Sequence, residues 1–469
     1  MAQTYDDFVA RKLSRVPPTG LDAVPTLHSS LFPHQHDLVS WSLRRGRAAL
    51  FADTGLGKTA MQLEWSRHVA DAHADRLRRD VIILAPLAVA AQTAREAERL
   101  GMSVTLCRDG GDVRPGVNVT NYERIHRFDV SRFAGVVLDE SSIIKHHDAK
   151  TLATLLDAFR ETPFKLCATA TPSPNDYAEL GTHAEFLGIC TRTEMLSEFF
   201  VHDGGETQTW RLKGHARTAF WRWVASWAAM LRNPADLGYD GSAYLLPALN
   251  VKQHTIAADE ASVRASGLLF AEASRTLGDQ RDARRGTIEA RVRACADIAN
   301  ADREQWLVWG DLNAETQALA KAIDGAVEIS GADEPDVKER RLVDFAEGRT
   351  RVLVTKVSIA GFGMNFQRCA RMAFVGVTHS WESYYQAIRR CWRFGQTRPV
   401  DVHVFASELE GAVVANLQRK ERDAQAMADA LVSETKDAVR AEVRGLQRQT
   451  NDYRPTVAMA VPAWMRRTA

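Results

Sequence analysis

The chain has 469 residues, of which 45% are hydrophobic and 25% are charged, and its formal net charge is +1. This length is too great for one ordinary domain, and the composition is typical of a soluble globular protein. A net charge so close to zero excludes attraction of the whole chain to nucleic acid, so any contact with a polyanion would need a local basic groove.

The cysteines and the N-terminus indicate where the protein works. The six cysteines lie far apart and include no CxxC pair, which argues against a disulfide framework or a zinc site and fits a reducing cytosol. The N-terminal segment carries two acids and no apolar stretch, so we expect no secretion signal. The longest apolar run, at 81–91, is too short to span a bilayer. We expect a cytoplasmic monomer without membrane contact.

Short apolar runs alternate with helical patterns in two stretches of the chain. Four strands are predicted in the first stretch and five in the second, at 47–53, 81–86, 135–139 and 165–170, then at 305–310, 326–330, 351–355, 372–377 and 400–405. Strands that are apolar on both faces and separated by helices are typical of parallel sheets covered on both sides. We therefore predict an α/β fold with two parallel-sheet lobes in tandem.

These patterns divide the chain into four parts. We expect a first lobe at 1–190, a mostly helical insertion at 191–300, a second lobe at 301–407, and a helical extension with a tail at 408–469.

Two segments of the insertion are candidates for nucleic-acid contact. The aromatic patch at 210–227 has helical core spacing at Phe220, Trp223 or Val224, and Trp227, which favours core packing over DNA contact. The arginines at 275–293 alternate with acids, so a solvated face is at least as well supported as a DNA arm.

A glycine-rich segment lies between the first predicted strand and a helical pattern. It reads Asp53-Thr54-Gly55-Leu56-Gly57-Lys58-Thr59, with Ala52 where the usual pattern has glycine. A glycine-rich turn into a helix N-terminus points several backbone N–H groups at one spot, which suits a polyphosphate. We expect Lys58 to reach the β- and γ-phosphates and the Thr59 hydroxyl to ligate Mg²⁺. The segment predicts nucleotide binding.

Two acids, Asp139 and Glu140, follow the strand predicted at 135–139. At the carboxyl edge of the same sheet, Asp139 can hold Mg²⁺ through water, and Glu140 can orient and deprotonate the attacking water. A solvated strand end is the alternative interpretation of the pair alone, but the phosphate loop upstream favours catalysis.

In the second lobe, Arg390 and Arg393 are three residues apart and share one helical face. If both arginines reach the γ-phosphate, hydrolysis depends on closure of the two lobes. Such an arginine finger accelerates phosphoryl transfer by roughly 10³–10⁵-fold. The alternative is a solvated basic helix, which does not explain the Gly395-Gln396 turn that follows.

In this order, the motifs resemble those of the superfamily-two helicase-like ATPases (the DEAD/DEAH-box helicases), and most closely the Swi/Snf-like branch. The resemblance covers about residues 31–405, and the last of its segments is the most specific to the branch. The segments are Leu31-Phe32-Pro33-His34-Gln35, the glycine-rich loop, Leu84-Ala85-Pro86, Thr120-Asn121-Tyr122-Glu123, Asp139-Glu140-Ser141-Ser142, 168–175, Thr355-Lys356, Gly361-Phe362-Gly363-Met364-Asn365 and Gln386-Ala387-Ile388-Arg389-Arg390-Cys391-Trp392-Arg393-Phe394-Gly395-Gln396.

The resemblance implies two RecA-like lobes that hold ATP and Mg²⁺ between them. It implies that Gln35 selects adenine and that Gly363 and Gln386 belong to the ATP site. It also implies that the partner is a nucleic acid, with double-stranded DNA as the preferred one. The chain also resembles the compact versions carried by phages and prophages.

The chain departs from the pattern of the branch at four positions. Ser141 and Ser142 stand where a histidine often couples the lobes, and Ala170 and Arg389 also differ, since the branch usually has an acid at the latter position.

We expect an ATP hydrolase that translocates along duplex DNA without separating the strands. Two alternatives stay open: a strand-separating DNA helicase in phage replication or repair, and an ATP-switched nucleic-acid clamp without motor activity. The presence of Lys58, Glu140, Arg390 and Arg393 argues against the clamp.

Overall fold

Two parallel β-sheets, each covered by helices, make up most of the protein. The computed structural model describes residues 17–145, 150–173, 176–202, 210–256, 287–360, 364–376, 381–407 and 411–444. Its strands are β1 (Arg47–Ala52), β2 (Asp80–Ala85), β3 (Val104–Leu106), β4 (Val117–Asn121), β5 (Phe133–Asp139), β6 (Phe164–Ala168), β7 (Phe200–His202), β8 (Trp210–Leu212), β9 (Ala228–Leu231), β10 (Leu249–Ile256), β11 (Trp306–Gly310), β12 (Ala326–Ile329), β13 (Val352–Lys356), β14 (Arg371–Val375) and β15 (Val400–Ser407).

The helices lie between these strands and after the last of them. In chain order they are α1 (Pro33–Arg45), α2 (Lys58–Asp71), α3 (Leu87–Arg99), α4 (Lys150–Ala158), α5 (Leu180–Leu187), α6 (Arg192–Phe199), α7 (Arg217–Ala225), α8 (Ile288–Ala301), α9 (Asn313–Ala322), α10 (Pro335–Ala346), α11 (Val357–Ala360), α12 (Trp381–Ile388) and α13 (Gly411–Val443). Across the described residues, every helix is too short or too polar to cross a membrane.

Each sheet forms one lobe, and all neighbouring strands within it are parallel. The described strands of the first sheet have the order β3-β4-β2-β5-β6-β1-β9, and those of the second have the order β10-β15-β14-β11-β13-β12. The inner strands β2, β5 and β6 are buried along their whole length, because helices cover both faces of the sheet. The prediction of two parallel-sheet lobes is confirmed.

The segment at 191–300, predicted to be mostly helical, also contains four strands among its described residues. Strand β9 extends the first sheet beside β1, β10 extends the second sheet beside β15, and β7 pairs with β8 in a separate antiparallel hairpin. Strands β7 to β9 are too short to show a periodic pattern, and β10 is largely exposed and polar. The predicted boundaries between the domains stay predictions, and 257–286 lies outside the described residues.

The aromatic patch at 210–227 packs into the first lobe. Phe220, Trp221, Val224 and Trp227 are buried in its core, and Trp223 packs against that core from a half-buried position. The core packing predicted from their spacing is confirmed.

Helix α13 leaves the second lobe and packs back on the first. It contacts β15 and α12 of the second lobe, and β9, α7 and α1 of the first. Leu431, Val439 and Val443 are buried in the first-lobe core. Arg45 pairs with Glu442 of α13 at 2.5 Å between Nη2 and Oε2. The helix therefore bridges the two lobes.

Candidate active site

The glycine-rich segment turns from the end of β1 into the start of α2. Gly55 and Gly57 have φ angles of +89° and +78°, a left-handed conformation that glycine adopts without steric cost. The loop therefore lies close to its neighbours. A Cβ on Gly57 would lie 2.2 Å from Nε2 of Gln35, and a Cβ on Gly55 would lie 2.8 Å from Cβ of Phe394.

The other loop residues surround the N-terminus of α2. Lys58 begins the helix, and its Nζ donates to the carbonyl oxygen of Ala52 at 2.8 Å. The Thr54 N–H donates to Oδ1 of Asp53 at 2.6 Å. Leu56 is buried, and Thr59 is half-buried in the first turn of α2. The loop thus places an ammonium group at a helix N-terminus, an arrangement that suits an anion.

Gln35, the residue that resemblance assigns to adenine, lies against this loop. Its buried side chain donates from Nε2 to the Leu56 carbonyl and accepts from the Phe32 N–H at Oε1, both at 3.0 Å. The structure therefore fixes Gln35 beside the loop, while its selection of adenine stays a prediction.

Asp139 and Glu140 lie at the carboxyl end of β5. Oδ1 of Asp139 accepts from Nε2 of Gln62 at 2.7 Å and from the Glu140 N–H at 3.1 Å. Burial, and then the charge of Glu140, raise the pKa of Asp139 to about 6. Oε2 of Glu140 accepts from the Thr169 hydroxyl at 3.5 Å. Among the described non-glycine residues, Glu140 alone has a positive φ, at 51°.

Arg390 and Arg393 lie in the turns that follow α12, which ends at Ile388, so the prediction that they share one helical face is wrong. Arg390 is buried and donates from Nη2 to Oε1 of Gln386 at 3.0 Å and from Nη1 to the Met364 carbonyl at 3.4 Å. Arg393 donates to Oδ1 of Asn365. Gly363, predicted to join this site, lies outside the described residues.

The charges of the two lobes act on one another. Burial lowers the pKa of Arg390, and the nearby carboxylates of Glu140 and Asp139 oppose that shift. Burial also lowers the pKa of Lys58, opposed by the same two acids and by Asp53 and reinforced by Arg393. The structure thus brings the loop, the acidic pair and both arginines to one cleft between the lobes.

Two family models match the chain over this cleft. The SNF2-related domain matches residues 34–200, and the helicase conserved C-terminal domain matches residues 294–395. Together they cover more than half of the chain. The chain belongs to the SNF2-related, helicase-like ATPases of superfamily two. It is therefore an ATP hydrolase.

Solved structures include proteins similar to this SNF2-related ATPase. The SWI2/SNF2 ATPase core of Sulfolobus solfataricus, in complex with dsDNA, is 16% identical over 89% of this chain and 97% of its own, with a TM-score of 0.40. None of the curated proteins matches the chain by sequence.

Ser141, one of the two serines that depart from the branch pattern, contacts a histidine that the sequence did not single out. The Ser141 hydroxyl and Nε2 of His183 are hydrogen-bonded at 3.1 Å, and both residues are fully buried. Burial lowers the pKa of His183 to about 4. His183 is on α5 of the first lobe and packs edge-on against Phe51. Both of these contacts of His183 therefore lie inside the first lobe.

A second missed feature joins the lobes of this SNF2-related ATPase. Arg389 donates from Nη2 to Oδ2 of Asp53 at 2.9 Å, and the Tyr385 hydroxyl donates to Oδ1 of the same carboxylate at 3.0 Å. Beside it, Phe394 stacks on Tyr244 at 4.7 Å. No sequence signal identifies these partners, because the paired residues lie far apart along the chain, by 336 positions for Asp53 and Arg389.

Proposed function

We propose that this ATPase is a motor that uses ATP hydrolysis to translocate along double-stranded DNA without separating its strands. The observation that supports this most directly is the division of the site between the lobes. The phosphate loop and the acidic pair lie on the first lobe, and Arg390 and Arg393 lie on the second. Chemistry that needs both lobes couples hydrolysis to lobe movement. Membership in the SNF2-related ATPases supports duplex DNA as the track.

In this proposal the first lobe holds the triphosphate and its metal. Backbone N–H groups of the glycine-rich loop and the ammonium of Lys58 bind the phosphates. The Thr59 hydroxyl and the Asp139 carboxylate hold Mg²⁺. The donor set fits a hard cation, because among the described residues both hydrogen bonds that Asp139 accepts on its carboxylate fall on Oδ1, which leaves Oδ2 for a metal-bound water.

The remaining residues act on the reacting atoms or orient those that do. Glu140 orients and deprotonates the attacking water, and its positive φ is a strained conformation of the kind that clusters at active sites. Arg390 and Arg393 stabilise the charge that develops on the γ-phosphate. Gln386 orients Arg390 through their hydrogen bond. We also propose, from the resemblance, that Gln35 selects adenine and that Gly363 belongs to the ATP site. The monomeric state and the phage or prophage origin are likewise proposals from the resemblance.

ATP turnover measured without nucleic acid and with single-stranded DNA, duplex DNA or RNA tests the motor. We expect duplex DNA to stimulate turnover most. If no nucleic acid changes the rate, the motor proposal is wrong. Displacement of a third strand from a triplex, without unwinding of a fork, then distinguishes translocation from strand separation.

Removal of the Lys58 ammonium tests the phosphate site. We expect Lys58→Ala to abolish ATP hydrolysis, because the charge at the loop is lost. The control is Lys321→Ala, which removes an exposed lysine from α9. Turnover that survives in Lys58→Ala contradicts the assignment of this loop.

The two arginines are tested separately from the loop. Arg390→Ala and Arg393→Ala should each lower kcat by roughly 10³–10⁵-fold, the range for an arginine finger, with a smaller change in ATP affinity. Arg340→Ala, on the exposed face of α10, serves as the control. An equal loss in kcat for the control would point to a general defect in folding.

A further inference from the structure

An acid of the phosphate loop is paired with an arginine of the opposite lobe. The Asp53 and Arg389 side chains are 14% and 6% exposed, and their ion pair measures 2.9 Å. The carboxylate also accepts from the Tyr385 hydroxyl and from the Thr54 N–H. All the donors outside the loop come from α12 and the residue that follows it. The second lobe therefore neutralises a charge that belongs to the first.

The position of Asp53 makes its charge important for a polyanion. Asp53 is part of the proposed phosphate loop, and its backbone carbonyl lies 3.4 Å from Nζ of Lys58. A carboxylate this close to bound phosphates disfavours them, since like charges in a partly buried site repel strongly.

Arg389 is the main source of compensation. Burial by itself would raise the pKa of Asp53. The charge of Arg389, with smaller contributions from the Thr54 N–H, Lys58 and Arg232, outweighs burial and lowers the pKa of Asp53 below its ordinary value. Arg232 is also paired with Asp429 of α13, which shares its charge.

Aromatic rings hold Arg389 in place. Its guanidinium lies 5.0 Å from the ring centre of Tyr385 and 4.7 Å from that of Trp392, and Trp381 stacks on Tyr385 at 5.0 Å. A guanidinium stacked in this way is pre-organised for its partner. The acid usual in the Swi/Snf-like branch would repel Asp53 at this position. The pairing therefore depends on the residue by which this chain departs from the branch.

We propose that Arg389 is a positioning residue that neutralises Asp53 and so couples the affinity of the phosphate loop for a nucleoside triphosphate to closure of the lobes. When the lobes are apart, the unpaired carboxylate weakens binding of the phosphates. When they are closed, Arg389 removes that repulsion. Because coupling is reciprocal, a bound triphosphate favours closure to the same extent. This inference rests on the proposed phosphate-binding role of the loop.

Three variants of the full chain test the coupling. The affinity for a fluorescent, non-hydrolysable ATP analogue and the KM and kcat for ATP are measured for each. Arg389→Met should weaken binding and raise KM by about tenfold, equal to roughly 1.4 kcal/mol, with a smaller change in kcat. Asp53→Asn combined with Arg389→Met should restore affinity to within about threefold of the native value, because no unpaired charge remains. Arg389→Lys should weaken binding less than Arg389→Met does, by about threefold, because the ammonium keeps the charge but loses the planar stacking on the two rings.

The outcomes separate this inference from the proposed function. If Arg389→Met binds the analogue as the native protein does, or if the double variant melts at the native temperature yet fails to regain affinity, the coupling is wrong. A tenfold loss in Arg389→Lys overturns the charge explanation, even where Arg389→Met does not fold. Lys58→Ala reports on the loop itself. If Lys58→Ala binds the analogue with native affinity, the phosphate site is misassigned. If Lys58→Ala loses affinity while Arg389→Met keeps it, only the coupling is wrong.

Discussion

Gly57 is the residue on which the shape of the phosphate loop depends most. It precedes α2 with a φ of +78°, and a Cβ there would meet the amide nitrogen of Gln35 at 2.2 Å. Gln35 cannot move away freely, because it is buried and bonded at both ends of its amide. Backbone conformation and packing thus both require glycine here.

Gly57→Ala should therefore damage both stability and ATP binding. The left-handed conformation costs an alanine about 1–2 kcal/mol, and the contact with Gln35 adds to that. We expect the free energy of unfolding to fall by about 1–3 kcal/mol and the KM for ATP to rise at least tenfold. The control is Gly331→Ala, where a Cβ would meet nothing within 4 Å. Equal effects of the two substitutions would refute this account.

At this scale, the sequence predicts what is local. The loop and the acidic pair are contiguous, and their spacing alone indicates their chemistry. Arg390 and Arg393 are also close in sequence, but the helical face predicted from their spacing does not form, because the helix ends at Ile388. Pairing between Asp53 and Arg389 depends on how two lobes meet, and nothing in either segment specifies the other. The same holds for His183, which resembles any histidine on a mostly apolar helix.

Among the elements, β10 lies at the edge of the second sheet beside β15, and its own sequence does not predict a strand. The two strands pair along all eight residues, yet β10 is polar and largely exposed. The nine predicted strands correspond to β1, β2, β5, β6 and β11 to β15, which are mostly buried and apolar. The missed strands of the two main sheets are short or lie near a sheet edge, where one neighbour suffices and the apolar signal is weak.

A histidine pair joins β10 to β15 and makes their association depend on pH. Nε2 of His254 and Nδ1 of His403 are 2.9 Å apart, and His403 also packs against Trp306 and Phe405. Burial, and then the charge of His254, lower the pKa of His403 to about 4. Lys252 and Arg371 lower it further, and Asp401 opposes them.

The sign of the pH dependence follows from this lowered pKa. In the unfolded chain His403 has its ordinary pKa near 6.5 and takes up a proton as the pH falls, while the folded protein excludes that proton down to about pH 4. This residue should therefore remove about 2 kcal/mol from the free energy of unfolding between pH 7.5 and 5. Denaturant unfolding at both pH values should show a smaller loss for His403→Phe than for the native protein. The exposed His126→Phe serves as the control, and an unchanged pH dependence in His403→Phe would argue against this origin.

In the whole molecule, the Arg95–Glu339 ion pair joins α3 of the first lobe to α10 of the second, and two more extensive contacts also hold the lobes together. One is the cleft, where Arg389 pairs with Asp53. The other is α13, whose 33 residues extend about 50 Å from the second lobe across the first. Arg217 and Arg232 of the first lobe pair with Glu434 and Asp429 of this helix. Leu431 and Val432 of this helix line a cavity that Asp53 of the phosphate loop also lines, so the helix restrains the lobes close to the proposed ATP site.

Release of α13 should therefore alter ATP binding. Leu431→Asp with Val439→Asp places two carboxylates among buried first-lobe side chains, and burial of an unpaired charge costs enough to detach the helix. We expect small-angle scattering to show a larger radius of gyration, and the KM for ATP to rise because the closed arrangement is populated less. Ala153→Asp with Thr154→Asp puts two carboxylates on the exposed face of α4, away from this cavity, and should change neither quantity. If the detached variant keeps the native radius, the helix does not restrain the lobes. If the radius grows while the KM stays native, closure and phosphate affinity are independent, contrary to the coupling inferred for Arg389.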